Sequence, residues 1–212
     1  MGNILLFYLH NRHASDIVLT YVFKNVPMEV SLMEENIAKV LISKEELGKR
    51  VAELGAELTR DYEGKKILVL GILKGAVPFM SDLIREIKLP LTYDFMALSS
   101  YGASTQSSGV VRILKDLERS VEDVHILVIE DIVDTGLTLK YLKANLIARN
   151  PLSVKVVTLL DKSTRRQVEV FPDYNGFSIP DEFVVGYGLD FNQEYRNLPY
   201  VGVLKLEAYE VN

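Results

Sequence analysis

A chain of 212 residues has the length of one compact domain with room for a small appendage, since domains commonly run to about 100–200 residues. Hydrophobic residues make up 48% and charged residues 25% of it, enough to build a core, and the absence of cysteine excludes disulfides, thiolate nucleophiles and zinc–thiolate sites. With 24 Lys and Arg against 29 Asp and Glu, the net charge is −5, which argues against nucleic-acid partners and makes any small anionic substrate depend on a local pocket.

No apolar run approaches the roughly 18 residues that span a bilayer. The start of the chain lacks a basic region ahead of a long apolar stretch, so a soluble, cytoplasmic protein without a membrane or secretory segment is expected. Residues 1–32 fit neither a helical nor a strand period, their apolar patches being broken by His10, Asn11, Arg12, His13, Asn25 and Pro27. They read as an extension of unassigned role: either a stretch ahead of an internal start at Met28 or Met33, or an arm that packs on a neighbour. His10 and His13 have no third ligand nearby and read as solvated rather than metal-binding.

From Ser43 the pattern sharpens. Ser43 followed by Glu46 is a capping box, and Leu47, Val51, Leu54, Ala56 and Leu58 recur near helical spacing, which predicts a helix to about Tyr62. Residues 67–73 form a short continuous apolar run, as for a strand buried on both faces. A helix over 77–87 follows, then strands over 91–98, 110–115 and 126–132, a helix over 138–149, and strands over 154–160 and 183–187. Alternating strands and helices imply an α/β fold with a mostly parallel sheet covered on both faces. Residues 99–109, small and polar around two glycines, have too little apolar surface to order alone and read as a mobile active-site lid.

The chemistry concentrates in Ile126 to Leu139. A buried strand ends in Glu130, Asp131 and Asp134, and Thr135-Gly136-Leu137-Thr138 then opens a helix. The carboxyl ends of strands in open α/β sheets are where ligands bind, and the free N–H groups of a helix start attract phosphate. Acids beside such a cradle would repel an anion unless a divalent cation or sugar hydroxyls intervened, so the segment predicts a sugar phosphate with Mg2+. The bland alternative, helix capping, needs only one of the three acids. A Gly-x4-Gly-Lys-Ser/Thr loop is absent, and Gly186-Tyr187-Gly188 lacks the third glycine of a dinucleotide site.

Val128-Ile129-Glu130-Asp131-Ile132-Val133-Asp134-Thr135-Gly136-Leu137-Thr138 resembles the phosphoribosyl-diphosphate signature of type I phosphoribosyltransferases, in particular the hypoxanthine-guanine branch. Gly71 to Ala76 resembles that family's diphosphate loop, Ser99 to Gly102 its lid, Leu160-Asp161-Lys162 its purine-reading strand end, and Phe183 to Asp190 its purine pocket, with Tyr195-Arg196 behind them. The resemblance covers roughly residues 35–210 and makes residues 33–212 the phosphoribosyltransferase domain, with a small hood built from the terminal segments.

What the resemblance implies can be set beside what the chemistry requires. The family moves a phosphoribosyl group from 5-phosphoribosyl 1-diphosphate to purine N9 through an oxocarbenium-like transition state, using Mg2+. By resemblance, Asp134 is the general base near purine N7 and, with Glu130, Asp131, Thr135, Gly136, Leu137 and Thr138, binds the ribose phosphate. Glu130, Asp131 and Asp190 correspond to acids of the metal shell, and Lys74, Gly75 and Arg196 to diphosphate contacts, with a non-proline cis peptide implied between Leu73 and Lys74. Lys162 corresponds to the donor to the 6-oxo oxygen, Phe183 to the ring stacked on the base, Val184 to a backbone contact on the purine edge, Asp190 to an acid beside the purine, and Ser100 and Tyr101 to the lid. Plain alternatives stand beside several of these: a helix-start cap for Asp134, an exposed strand-end lysine for Lys162, a core ring for Phe183, a surface ion pair for Arg196. Some relatives carry lysine where this chain has Leu137, so any charge supplied there is missing. The implied partners are an oxopurine and the phosphoribosyl donor, with neither nucleic acid nor membrane, and a homodimer or homotetramer. A xanthine- or pyrimidine-preferring transferase and a non-catalytic regulator that senses the donor remain the alternatives.

Overall fold

The computed structural model describes residues 34–100 and 111–209. The segment over 1–32 and most of the expected lid, including Tyr101, lie outside the described residues. In chain order the elements are β1 (Ile37–Ile42), α1 (Lys44–Asp61), β2 (Ile67–Leu73), α2 (Val77–Glu86), β3 (Leu91–Ser100), β4 (Val111–Lys115), β5 (His125–Val133), α3 (Leu137–Ile147), β6 (Ser153–Asp161), β7 (Tyr174–Ser178), β8 (Val184–Val185), β9 (Val201–Leu204) and α4 (Leu206–Tyr209).

Six strands form one sheet in the order β4-β3-β2-β5-β6-β7, parallel except for β4, which runs antiparallel on the edge. β2 and β5 read as unbroken apolar runs because both of their faces are covered. Along β5, Ile126 and Val128 pack with Leu139, Leu142 and Leu146 of α3 on one face. Leu127 and Ile129 pack on the other, in a cluster with Leu54 and Leu58 of α1 and Phe79 and Leu83 of α2. This alternation sets up the site, since it sends successive side chains at the end of β5 to opposite faces.

The start of α1 follows its sequence signal: Ser43 Oγ accepts from the Glu46 amide at 3.2 Å and the Glu46 carboxylate accepts from the Ser43 amide at 2.8 Å. Other boundaries move slightly. The helix expected over 77–87 ends at Glu86, and that over 138–149 runs Leu137–Ile147. The strand expected over 183–187 shrinks to Val184–Val185, because Gly186 and Tyr187 adopt positive φ and leave the extended region. Ser99 and Ser100, assigned from sequence to the loop, instead extend β3 and pair with Arg112 and Val111.

β1, β7 and β9 carry no readable signal. β1, β9 and β8 form a small antiparallel sheet, the hood of terminal segments that the resemblance implied. β1 leaves Ala38, Lys39 and Val40 exposed, so no alternation marks it, and its partner β9 lies some 160 residues away in sequence. β7 contains Asn175 and Gly176, poor strand residues, and is held as an edge by β6.

Helices α1 and α2 approach closely at Gly55, where a Cβ would overlap the Cβ of Glu86 and stand 2.9 Å from its carbonyl carbon. An exposed helical Gly→Ala change normally stabilises by about 1 kcal/mol. Here Gly55→Ala should lower the midpoint of urea unfolding instead, because the two backbones must separate; a raised midpoint would contradict the close approach.

Candidate active site

The carboxyl end of β5 carries two acids on opposite faces. Glu130 is 6% exposed and lines a cleft of about 110 Å³ together with Ile132, Val133, Asp134, Thr135, Gly136, Thr138 and Leu139. Asp131 points the other way, onto the turn after β2, where a Cβ on Gly75 would collide with its carboxylate. Its Oδ1 accepts from the Ile132 amide at 2.7 Å. Burial, reinforced by the Asp131 charge, pushes the Glu130 carboxyl well above the usual carboxylate range. Burial likewise pushes Asp131 up to about 6, even though backbone N–H groups and Arg196 pull it down.

Residues 134–138 turn from β5 into α3. Gly136 is the helix cap at φ 81°, a conformation that costs other residues energy, and it brings no side chain to occupy the free amides of the first turn. The Leu137 amide makes only a long 3.4 Å bond to Thr135 Oγ1. The amides therefore stay available at a helix start, in the same cleft as Glu130. Among the described residues, Asp134 Oδ1 is sealed from solvent and accepts no hydrogen bond, with Arg165 Nε 3.1 Å away as an ion-pair partner.

The turn after β2 and the segment between β8 and β9 meet in a second group of contacts. The Leu73–Lys74 peptide is cis, as the resemblance implied. Lys74 Nζ donates to Gln193 Oε1 at 3.1 Å, and the Gln193 amide donates to Asp190 Oδ2 at 2.9 Å. Arg196 pairs with Asp190 at 2.7 Å and donates to the Gly188 carbonyl at 2.7 Å. Lys74, Gly75, Asp131, Asp190 and Arg196 are thus drawn together, with Gln193 as a connecting residue that sequence reasoning missed.

Lys162 follows β6 and is 7% exposed, with Nζ 3.8 Å from Asp181, so it is a buried amine rather than a solvated strand end. Asp181 also accepts from Arg165 at 3.2 Å, linking Lys162 to Arg165 and so to Asp134. Phe183 is 37% exposed, not a core ring. It stacks on Tyr209 at 4.8 Å between centroids and meets Phe191 edge-on at 5.7 Å. Val184 is buried within the hood sheet, paired with Val203. Ser100 ends β3; Tyr101 lies outside the described residues. Asp181 and Arg165 had no sequence signal beyond being charged residues in polar segments.

Among the described residues, no three carboxylate or imidazole side chains converge to hold a metal unaided. Glu130 and Asp131 are oxygen donors withdrawn from water, the donor type that suits Mg2+, which takes one or two protein carboxylates and completes its shell with water and substrate phosphate. Asp190 lies across the loop from them, paired with Arg196.

Both raised carboxyls bind protons more tightly in the folded chain than in the unfolded one. Metal-free protein should therefore gain stability from them as pH falls from about 8 through 6 toward 5. In chelator, Asp131→Asn should melt higher than the wild type at pH 8, and the gap should shrink by pH 5. A pH-independent gap in melting temperature would contradict the buried-acid account.

The family model for the phosphoribosyl transferase domain matches residues 41–192. The chain is 56% identical over 179 residues to the hypoxanthine-guanine phosphoribosyltransferase of Bacillus subtilis (strain 168), a match spanning 84% of this chain and 99% of that protein. It is 56% identical over 177 residues to the bifunctional protein TilS/HprT of Listeria monocytogenes serotype 4b (strain F2365), where the match spans 84% of this chain and 27% of that protein. A crystal structure of a hypoxanthine phosphoribosyltransferase from Staphylococcus aureus aligns with a TM-score of 0.83 at 49% identity, covering 86% of this chain and 99% of that one. The chain belongs to the phosphoribosyl transferase domain family, in its hypoxanthine-guanine branch.

Proposed function

We propose that this chain performs purine salvage, transferring the 5-phosphoribosyl group of 5-phosphoribosyl 1-diphosphate to N9 of hypoxanthine and guanine, with IMP or GMP and diphosphate as products. The observation that carries this reading is the shared cleft: Glu130 and Asp134 line the same cavity as Thr135, Gly136 and Thr138 at the start of α3, whose cap makes no side-chain hydrogen bond. A phosphorylated pentose has both features, an anion for the amides and hydroxyls or a bound cation for the acids.

In this reading the amides and hydroxyls of Thr135 to Thr138 hold the 5-phosphate. Glu130 and Asp131 face the ribose hydroxyls and, with Asp190, contribute the protein ligands of Mg2+. When bound, Mg2+ supplies positive charge that offsets the departing diphosphate and ties it to the ribose. Lys74, the Gly75 amide and Arg196 hold the diphosphate, and Ser100 with Tyr101 forms the lid that excludes water. Lys162, a buried donor, meets the 6-oxo oxygen, while Phe183 lies against the base and the Val184 backbone reads its edge. Asp134 accepts the N7 proton as the C1′–N9 bond forms and the C1′–diphosphate bond breaks, and its Oδ1, ion-paired with Arg165 without a hydrogen bond, keeps the accepting capacity for that role. Leu137 supplies a backbone amide only.

The catalytic domain is residues 33–212, residues 1–32 are an extension, the enzyme works in the cytoplasm, and its assembly is a homodimer or homotetramer. No helix among the described residues is long and apolar enough to cross a membrane.

Nucleotide formation from hypoxanthine, guanine and xanthine, each with the diphosphate donor and with Mg2+ or chelator, tests the assignment. Metal-dependent IMP and GMP formation is expected; product from none of the bases would contradict it. Asp134→Asn should lower turnover strongly while IMP still binds, and unchanged turnover would remove it as the base. Lys162→Met should weaken oxopurine binding by about 1–3 kcal/mol through a lost hydrogen bond, measured by calorimetry.

A further inference from the structure

We infer that Arg166 is a positioning residue that locks the phosphate cradle to the purine-reading strand end, an inference that rests on the role proposed for residues 134–138. Arg166 follows the short turn Ser163–Arg165 in a polar stretch, yet its side chain is only 8% exposed. One arm of its guanidinium, Nη1, donates to the Asp134 carbonyl at 2.7 Å. The other, Nη2, pairs with the carboxylate of Asp161, itself 10% exposed at the end of β6 and next to Lys162. Its Cδ stands 2.9 Å from where a Cβ on Gly136 would lie, so the turn's glycine rests on the arginine stem.

Two backbone bonds run alongside. The Gln167 amide donates to the Thr135 carbonyl at 3.0 Å, and the Lys162 amide donates to the Val133 carbonyl at 2.9 Å. Between them, residues 162–167 form the back wall of the cradle, and Arg166 is the side chain that fastens it. A carbonyl held at Asp134 fixes the peptide plane between Asp134 and Thr135, and with it the direction of the amides that follow and the path of the Asp134 side chain. Because the same guanidinium grips Asp161, the cradle and Lys162 move as one body. A planar fork that donates along two directions does this; a lysine, a point charge, holds one partner and not both at fixed angles. Arg166 touches neither substrate in this arrangement and acts through residues 134–138.

Steady-state kinetics of the full chain, with melting temperatures, test the inference. Arg166→Gln should raise the KM for 5-phosphoribosyl 1-diphosphate about tenfold or more, the scale of a lost charge-assisted hydrogen bond, and change that for hypoxanthine far less. Arg166→Lys should recover the melting temperature to within about 2 °C while the donor KM stays raised, which also serves if the glutamine variant does not fold. A donor KM unchanged in the folded variants, with turnover reduced only in proportion to the unfolded fraction, would overturn the role and leave Arg166 as scaffold alone. A wild type that forms no nucleotide would instead contradict the function proposed above.

Discussion

Glu130 and Asp131 are neighbours on one strand, both withdrawn from water, and both held above the ordinary carboxylate range mainly by that withdrawal. Two acids in that condition are expensive to ionise without a cation nearby. Because β5 is a strand, the pair also splits, Glu130 toward the cleft under α3 and Asp131 toward Gly75. Glu130 thereby shares a cleft with the free amides at the start of α3, while Asp131 faces the turn after β2. The remaining site residues are placed around that axis.

The supports differ in strength. Lys74, Gln193, Asp190 and Arg196 form a partly exposed network of the kind that contributes little stability by itself, because water screens it and long side chains must be ordered to form it. The pair of Arg166 with Asp161 is different, since both side chains are almost fully covered and each would be left as a lone buried charge without the other. One network is partly open to water, the other almost closed to it.

How much of this could be read in the sequence depended on distance along the chain. The capping box at Ser43, the runs that became β2 and β5, and the acid cluster with Thr135 to Thr138 are local patterns, and each appears where expected. β1 and β9 were illegible because neither has a pattern of its own; each is a strand only through its pairing across the length of the chain. The same reason hid Arg165, Arg166, Asp181 and Gln193, ordinary charged or polar residues whose importance comes from what the fold sets beside them. Phe183 shows the opposite case: an apolar residue that composition would assign to the core lies 37% exposed at the hood.

The central claim is that acids and amides at the end of β5 jointly grip a phosphorylated pentose. A crystal of the protein soaked with IMP and Mg2+ addresses it directly. The 5′-phosphate should lie within hydrogen-bond distance of the amides of residues 135–138, with the ribose hydroxyls turned toward Glu130 and Asp131. Phosphate density elsewhere, for instance in the cavity lined by Lys66 and Arg119 at the opposite end of the strands, would contradict it.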